Sequence, residues 1–174
     1  FMCLSKGLTG GYLPLSAVVT HNRIYEAFYA PHATQKAFLH SHSYTGNALA
    51  CRAALATLDL LTDAQLAHNR VTASKIATRL AHLADHPQVA NVRQTGMIWA
   101  CELVQDKITK MPYPASERRG LRAYRAALNL NAQQGVILRP LGNVLYLMPP
   151  YIVNDDEVEL LAQAVELGVR AAVI

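Results

Sequence analysis

The sequence has little cysteine, no long hydrophobic run and no concentrated block of charge. Its three cysteines, Cys3, Cys51 and Cys101, are far apart and form no CxxC pair, which argues against a disulfide framework and against a zinc site. We expect all three to be reduced, buried thiols. No apolar run approaches the roughly 20 residues that span a bilayer, and the N-terminus lacks the basic flank of a signal peptide. These absences predict a cytoplasmic protein.

The charge is modest and dispersed. The net charge is +4, but lysine and arginine are scattered along the chain, so nucleic-acid binding has only weak support and an anionic small molecule fits at least as well. Hydrophobic residues make up 52% of the 174 residues. That fraction is typical of a soluble globular protein with some additional buried interface.

Hydrophobic periodicity divides the chain into a helical first half and a mixed second half. Strands are predicted at 14–20, 89–94, 97–104, 136–138 and 144–148. Helices are predicted at 22–29, 47–61, 63–84 and 116–133, and after the cap at 154–156. Asp85-His86-Pro87 interrupts the helical pattern. We therefore expect a boundary between two lobes near Pro87.

Lys6 follows a short apolar segment and precedes glycines at 7, 10 and 11. An amine that forms an imine must be partly unprotonated, and lysine is the side chain that offers this chemistry. The glycines allow the backbone to turn tightly and to pass close to a planar ring. The pattern fits a cofactor anchor at the end of a strand, but it fits a solvent-exposed surface lysine as well.

Residues 39–47, with the sequence LHSHSYTGN, supply hydroxyl and amide groups just before an alanine-rich helix. Such a helix N-terminus favours a phosphate. An ordinary capped helix would need the same residues. His40 and His42 have no nearby carboxylate or cysteine, so we predict no metal site here.

Arg139 follows the apolar run 135–138 and precedes a second apolar segment, YLMPPY, at 146–151. A guanidinium group binds a carboxylate through two parallel hydrogen bonds. Arg139 is therefore a candidate for a substrate carboxylate, although a surface charge at a strand end has the same pattern.

These three segments resemble the motifs of the class III (subgroup II) pyridoxal-phosphate-dependent aminotransferases. Residues 5–11 are similar to the lysine loop of that family, residues 42–51 to its phosphate loop, and residues 138–151 to its C-terminal carboxylate segment. The third segment most resembles the members that act in biotin biosynthesis. The resemblance extends over essentially the whole chain.

The resemblance implies a fold class and a domain organisation. The fold would be α/β, of the fold-type-I pyridoxal-phosphate-dependent transferases. Residues 1–86 would form the end of the large cofactor-binding domain, and residues 87–174 would form the small C-terminal α+β domain.

The resemblance also implies a role for each site residue. Lys6 would form an aldimine with pyridoxal 5'-phosphate and carry a proton between substrate and cofactor. His42 and Ser43 would bind the cofactor phosphate across a homodimer interface, at a position where threonine is common in the family and serine stands here. Ser41 would lie near the keto substrate, and Arg139 would bind its carboxylate.

Several groups that the family uses lie before its lysine, and none of them can be in this chain. They are a Gly-Ser phosphate loop, an aromatic residue that stacks on the ring, and an aspartate that pairs with the pyridine nitrogen. Without the aspartate the ring is a poor electron sink. We therefore expect the chain to be the C-terminal part of a longer protein and to be inactive alone.

The implied reaction transfers an amino group to 8-amino-7-oxononanoate and gives 7,8-diaminononanoate. The donor would be S-adenosylmethionine in most of that group and lysine in some relatives. One alternative is another class III transaminase that acts on ω-amino acids or diamines. A non-catalytic interaction module, in which Lys6 is a surface residue, is the alternative of a different class.

Overall fold

A computed structural model describes residues 1–40 and 42–174, which separate into two compact units. Unit 1 is Phe1–Asp63 and unit 2 is Ala64–Ile174. Each unit contains its own antiparallel sheet. These units reflect contacts within this chain alone, so the domain boundary between residues 86 and 87 stays a prediction.

Unit 1 begins with a β-hairpin in which Cys3 of the first strand pairs with Val18 of the second. Its strands are β1 (Met2–Leu4) and β2 (Ala17–Val19), and its helices are α1 (Asn22–Glu26), α2 (Ala48–Leu60) and short 3₁₀ helices at Lys6–Thr9 and His32–Thr34. The predicted strand at 14–20 and the helices at 22–29 and 47–61 are confirmed, with shorter bounds.

Little of unit 1 is buried. Among its described residues only Thr9, Ala50 and Ala54 are buried, while large apolar side chains such as Leu39 are exposed. The 3₁₀ helix that begins at Lys6 packs against α2, so these small buried residues lie where the two helices meet. This contact is the core of unit 1.

Unit 2 is built on a four-stranded antiparallel sheet. Its strands are β3 (Val89–Thr95), β4 (Ile98–Asp106), β5 (Met111–Pro112) and β6 (Val144–Leu147), and β4 pairs with all three others. The long helices are α3 (Asp63–Leu80), α4 (Arg119–Leu128) and α5 (Asp155–Val173). The predicted strands at 89–94, 97–104 and 144–148 and the helices at 63–84 and after Asn154 are confirmed, although α3 ends at Leu80 and tightens into a 3₁₀ turn, Ala81–Asp85.

The core of unit 2 lies between its sheet and its helices. Trp99 and Leu103 of β4 are almost completely buried, as are Val165 and Val169 of α5. Helix α4 packs along α5, and both contact the sheet. Alternation along β4 and helical periodicity along α5 thus direct their apolar side chains into one cluster.

Helix α5 is held by a capping box and by ion pairs to α3. Asn154 Oδ1 accepts from the Glu157 amide at 2.9 Å, and Glu157 Oε2 accepts from the Asn154 amide at 2.8 Å. Arg79 of α3 donates to Glu159 at 2.7 Å and to Glu166. The hydrogen bond from Arg79, together with one from Gln163, lowers the pKa of Glu159 to about 2.

Two predictions around α4 are wrong. The helix predicted at 116–133 spans only Arg119–Leu128. It begins late because Arg118 is in the left-handed region with φ +50° and separates α4 from a 3₁₀ turn at Ala115–Glu117. The predicted strand at 136–138 is absent. The amide of Val136 instead donates to the Ala127 carbonyl at 2.9 Å, so this segment closes the C-terminal end of α4 instead of pairing with a strand.

The prediction that all three cysteines are buried is also wrong. Cys101 is buried, and burial raises the pKa of its thiol to about 12. Cys3 and Cys51 are exposed, because they lie on surfaces of β1 and α2 that unit 1 does not cover. Among the described residues, no helix has the length and apolar character needed to cross a membrane.

Candidate active site

One residue, Ser5, separates Lys6 from the end of β1. It is exposed, and its φ is +51°. The left-handed region favours glycine and costs other residues roughly 1–2 kcal/mol. Within the described part of the chain, no ion pair or hydrogen bond holds its amine. Lys6 thus lies at a strand end, as the sequence predicted, and its role as a cofactor anchor stays a prediction.

The turn after Lys6 is fixed by Thr9. Its hydroxyl donates to the Leu13 carbonyl at 2.5 Å and accepts from the Leu13 amide at 3.3 Å. Thr9 is 1% exposed, so these bonds lie in the contact with α2. Gly10, with φ +63°, ends the 3₁₀ helix and places its backbone near the hydroxyl of Thr57 in α2. The backbone that carries Lys6 is therefore anchored on α2.

Thr9 anchors the turn after Lys6, a role that the sequence analysis did not identify. Its only signal in the sequence is a small hydroxyl residue before the Gly10-Gly11 pair. That signal does not distinguish a buried anchor from an ordinary turn residue.

The segment before α2 carries the predicted phosphate-binding residues. Asn47 caps α2, since its Oδ1 accepts from the Ala50 amide at 3.0 Å. His42 forms the preceding turn, where its carbonyl accepts from Thr45 at 3.0 Å and its Nδ1 from Tyr44 at 3.2 Å. His42 and Ser43 are exposed. The Ser43 hydroxyl has no partner among the described residues, so it is available to an anion near the helix N-terminus.

Ser41, predicted near the substrate, lies outside the described residues. His42 and Ser43 belong to unit 1 together with Lys6. Helix α2 links them, because it follows the phosphate segment, residues 42–47, and packs against the 3₁₀ helix that begins at Lys6. The roles of all these residues stay predictions.

Arg139 belongs to unit 2 and lies in an extended segment between α4 and β6. The preceding Leu138 is 2% exposed, whereas Arg139 itself is exposed. No carboxylate of the described residues pairs with its guanidinium. Arg139 therefore retains its capacity to bind a carboxylate through two hydrogen bonds.

The sequence matches a known protein family along almost its entire length. The aminotransferase class-III family matches residues 1–168. An adenosylmethionine-8-amino-7-oxononanoate aminotransferase of Helicobacter pylori is 45% identical in sequence, over an alignment that covers 91% of this chain and 35% of that protein. The enzyme of the same name from Nitratidesulfovibrio vulgaris is 42% identical over 99% of this chain and 31% of its own. The chain thus spans about a third of the length of these curated relatives.

Solved structures give the same result for the fold. The adenosylmethionine-8-amino-7-oxononanoate aminotransferase of Methanocaldococcus jannaschii has a TM-score of 0.88 and 37% identity over 97% of this chain and 38% of its own. An (S)-enantioselective omega-transaminase from Thermomicrobium roseum has a TM-score of 0.85 and 26% identity over 99% of this chain and 37% of its own. An aminotransferase from Vibrio fluvialis, also similar in structure, was solved in its PMP-bound form.

These matches confirm the family and the fold that the three motifs predicted. The fold is that of the fold-type-I transferases that depend on pyridoxal phosphate. The chain belongs to the class III aminotransferases.

Proposed function

We propose that this chain is the C-terminal part of an aminotransferase that converts 8-amino-7-oxononanoate to 7,8-diaminononanoate in biotin biosynthesis. The observation that carries the proposal is Lys6, an exposed, unpaired amine in a strained conformation at a strand end. It occurs in a chain 45% identical to an enzyme whose name states that substrate. Arg139, exposed and unpaired, supplies the group that a carboxylate substrate needs.

The residues of unit 1 fit pyridoxal phosphate. The Lys6 amine is accessible for covalent attachment, and the Ser43 hydroxyl lies just before the N-terminus of α2, where an anion is stabilised. His42 shapes the turn that presents Ser43. When bound, this cofactor withdraws electrons from the substrate carbon that carries the amino group. We expect Lys6 of one protomer to hold it, together with His42 and Ser43 of its partner across the dimer interface.

Lys6 has a second task once the donor amine has displaced it. Its Nζ accepts the proton that leaves the substrate carbon and would then donate it to the cofactor. That task requires an amine that can be unprotonated and that no carboxylate immobilises. The absence of a described partner for Lys6 is consistent with this.

Arg139 binds the substrate carboxylate, and Ser41, which is outside the described residues, is a second residue that we expect to bind the keto substrate. The planar guanidinium orients a carboxylate more strictly than an ammonium group does. The amino donor is S-adenosylmethionine, as the names of the relatives state for those proteins, with lysine as the alternative donor.

The same proposal extends to the assembly and its location. The enzyme acts as a cytoplasmic homodimer with the cofactor at the subunit interface, and neither nucleic acid nor membrane is a partner. The 174 residues alone are inactive. Large exposed apolar side chains in unit 1, such as Tyr12 and Leu39, are consistent with further contacts in a larger assembly.

A second candidate function is a class III transaminase for ω-amino acids or diamines. The observation that favours it is the TM-score of 0.85 with an omega-transaminase. Its 26% identity is lower than the 45% identity to the Helicobacter pylori enzyme. We therefore rank it second.

Kinetics of an Arg139→Met variant of the full-length protein test the proposal. We expect the KM for 8-amino-7-oxononanoate to rise about 10- to 100-fold, the cost of losing hydrogen bonds to a charged group. The KM for its methyl ester, which lacks the negative charge, should change little, and cofactor absorbance should be retained. Unchanged kinetics with the acid, or a preference of the unaltered enzyme for ω-amino acids or diamines, would contradict the proposal.

A further inference from the structure

We propose that Gly120 is a positioning residue for Arg139. Gly120 is buried in the first turn of α4, and it supports the backbone that directly follows the arginine. The inference rests on the proposed function, because it concerns the residue that binds the substrate carboxylate.

Gly120 allows a close approach that no other residue would permit. A Cβ built on Gly120 would overlap the carbonyl oxygen of Gly142 and would lie 3.6 Å from the Cβ of Pro140. A backbone carbonyl cannot move aside as the end of a flexible side chain can. Helix α4 therefore contacts this turn only because residue 120 has no side chain.

The turn after Arg139 is also held from its other side. Asn143 Nδ2 donates to the carbonyl of Tyr113 at 2.8 Å, and the Asn143 carbonyl accepts from the Leu103 amide of β4 at 2.8 Å. Tyr113 is itself fixed, since its hydroxyl accepts from Gln88 at 2.7 Å and its ring lies 4.3 Å from the Arg119 guanidinium. The turn is thus enclosed between α4 and the sheet.

The residue before Arg139 is anchored as well. Leu138 is buried against α5, where a Cβ built on Gly168 would lie 3.4 Å from its Cδ1. Arg139 is exposed between two fixed neighbours, and no described side chain holds its guanidinium. The contacts of its neighbours therefore set the position of the Arg139 backbone, and a displacement of that backbone shifts the point from which the side chain extends.

Gly120→Ala in the full-length protein tests this inference. The new methyl group must displace the Gly142 carbonyl, so we expect both the KM and the calorimetric dissociation constant for 8-amino-7-oxononanoate to rise about tenfold, as misplacement of a binding group predicts. The KM for the methyl ester should stay unchanged. Ala127→Gly is the matched control, because it weakens the same helix from a buried position away from the turn.

A second variant keeps the test decisive if Gly120→Ala does not fold. Asn143→Ala removes the hydrogen bond to Tyr113 and should reduce the preference for acid over ester in the same direction, whereas Ala127→Gly should not. A parallel rise for acid and ester, or an unchanged preference in both turn variants, would overturn the inference.

Arg139→Met separates this inference from the proposed function. One outcome is that Arg139→Met abolishes the preference for the acid over the methyl ester while Gly120→Ala and Asn143→Ala retain it. In that case the role of Gly120 is wrong and the proposed function stands. If Arg139→Met retains the preference, the assignment of Arg139 is wrong and the role of Gly120 fails with it.

Discussion

The two units of this chain differ in what their residues do. Unit 1 carries Lys6 and the phosphate segment but buries only three small side chains among its described residues. Unit 2 carries the apolar cluster around Trp99 and α5. Lys6 and the predicted phosphate-binding residues thus lie in the sparsely buried unit, and the large apolar core lies in the other. Substitutions at Lys6 and in that core should therefore have different consequences.

The difference reflects a general conflict between activity and stability. A lysine that forms an imine must be partly unprotonated, and Lys6 also has a backbone conformation that costs free energy. A stable core depends instead on the complete burial of apolar groups. We expect substitutions at Lys6 to remove activity without lowering stability. Substitutions in the core should lower stability without removing the catalytic groups.

The largest expected effect is that of Lys6→Ala on activity. Transamination by the full-length protein should fall by a factor of about 10²–10⁴ or more, because the proton carrier is lost, while the melting temperature stays close to that of the unaltered protein. Lys6→Gly sharpens the comparison, since glycine adopts φ +51° without strain. It should be equally inactive but about 1 kcal/mol more stable than Lys6→Ala. An active alanine variant would contradict the separation of roles.

The second effect concerns the free energy of unfolding and the core of unit 2. Trp99 is 2% exposed, and Trp99→Ala should lower the free energy of unfolding by about 3–5 kcal/mol. Ile108 is 91% exposed, so Ile108→Ala should change it by less than about 0.5 kcal/mol. Denaturant titration of the full-length variants measures both. Equal effects at the two positions would show that the cluster around Trp99 does not stabilise the fold.

The smallest effect is a pH dependence of unit 2. The pKa of Glu159 is lowered to about 2 in the folded protein by its hydrogen bond with Arg79, from an ordinary value of 4.5. Its contribution to stability is therefore complete above pH 4.5 and is lost as the pH falls towards 2. Glu159→Gln should make the melting temperature less sensitive to acid over this range.

Asp156→Asn serves as the control for that measurement. Asp156 lies on the same helix, but the described residues provide it with no ion-pair partner. An identical acid response in Glu159→Gln and Asp156→Asn would show that the bond to Arg79 does not contribute.

The elements that local pattern determines were predictable from the sequence. The alternation around Trp99 identified β4, and the cap at residues 154–156 marked the start of α5. Lys6 at a strand end was likewise visible, because a glycine-rich loop follows a short apolar run. Each of these signals lies within a few neighbouring residues.

Features that depend on distant contacts were not predictable. Residues 136–138 have the composition of a strand, but the Val136 amide bonds to the end of α4. Gly120 and Gly142 are far apart in sequence, and their approach appears in no local pattern. The exposure of Cys3 and Cys51 depends on how little of unit 1 is covered.

The most direct test of the central claim is the site of cofactor attachment. Borohydride reduction of the full-length protein, followed by proteolysis and mass spectrometry, should place a pyridoxyl group on the Nζ of Lys6. A pyridoxyl group on another lysine, or on none, would contradict the role of Lys6.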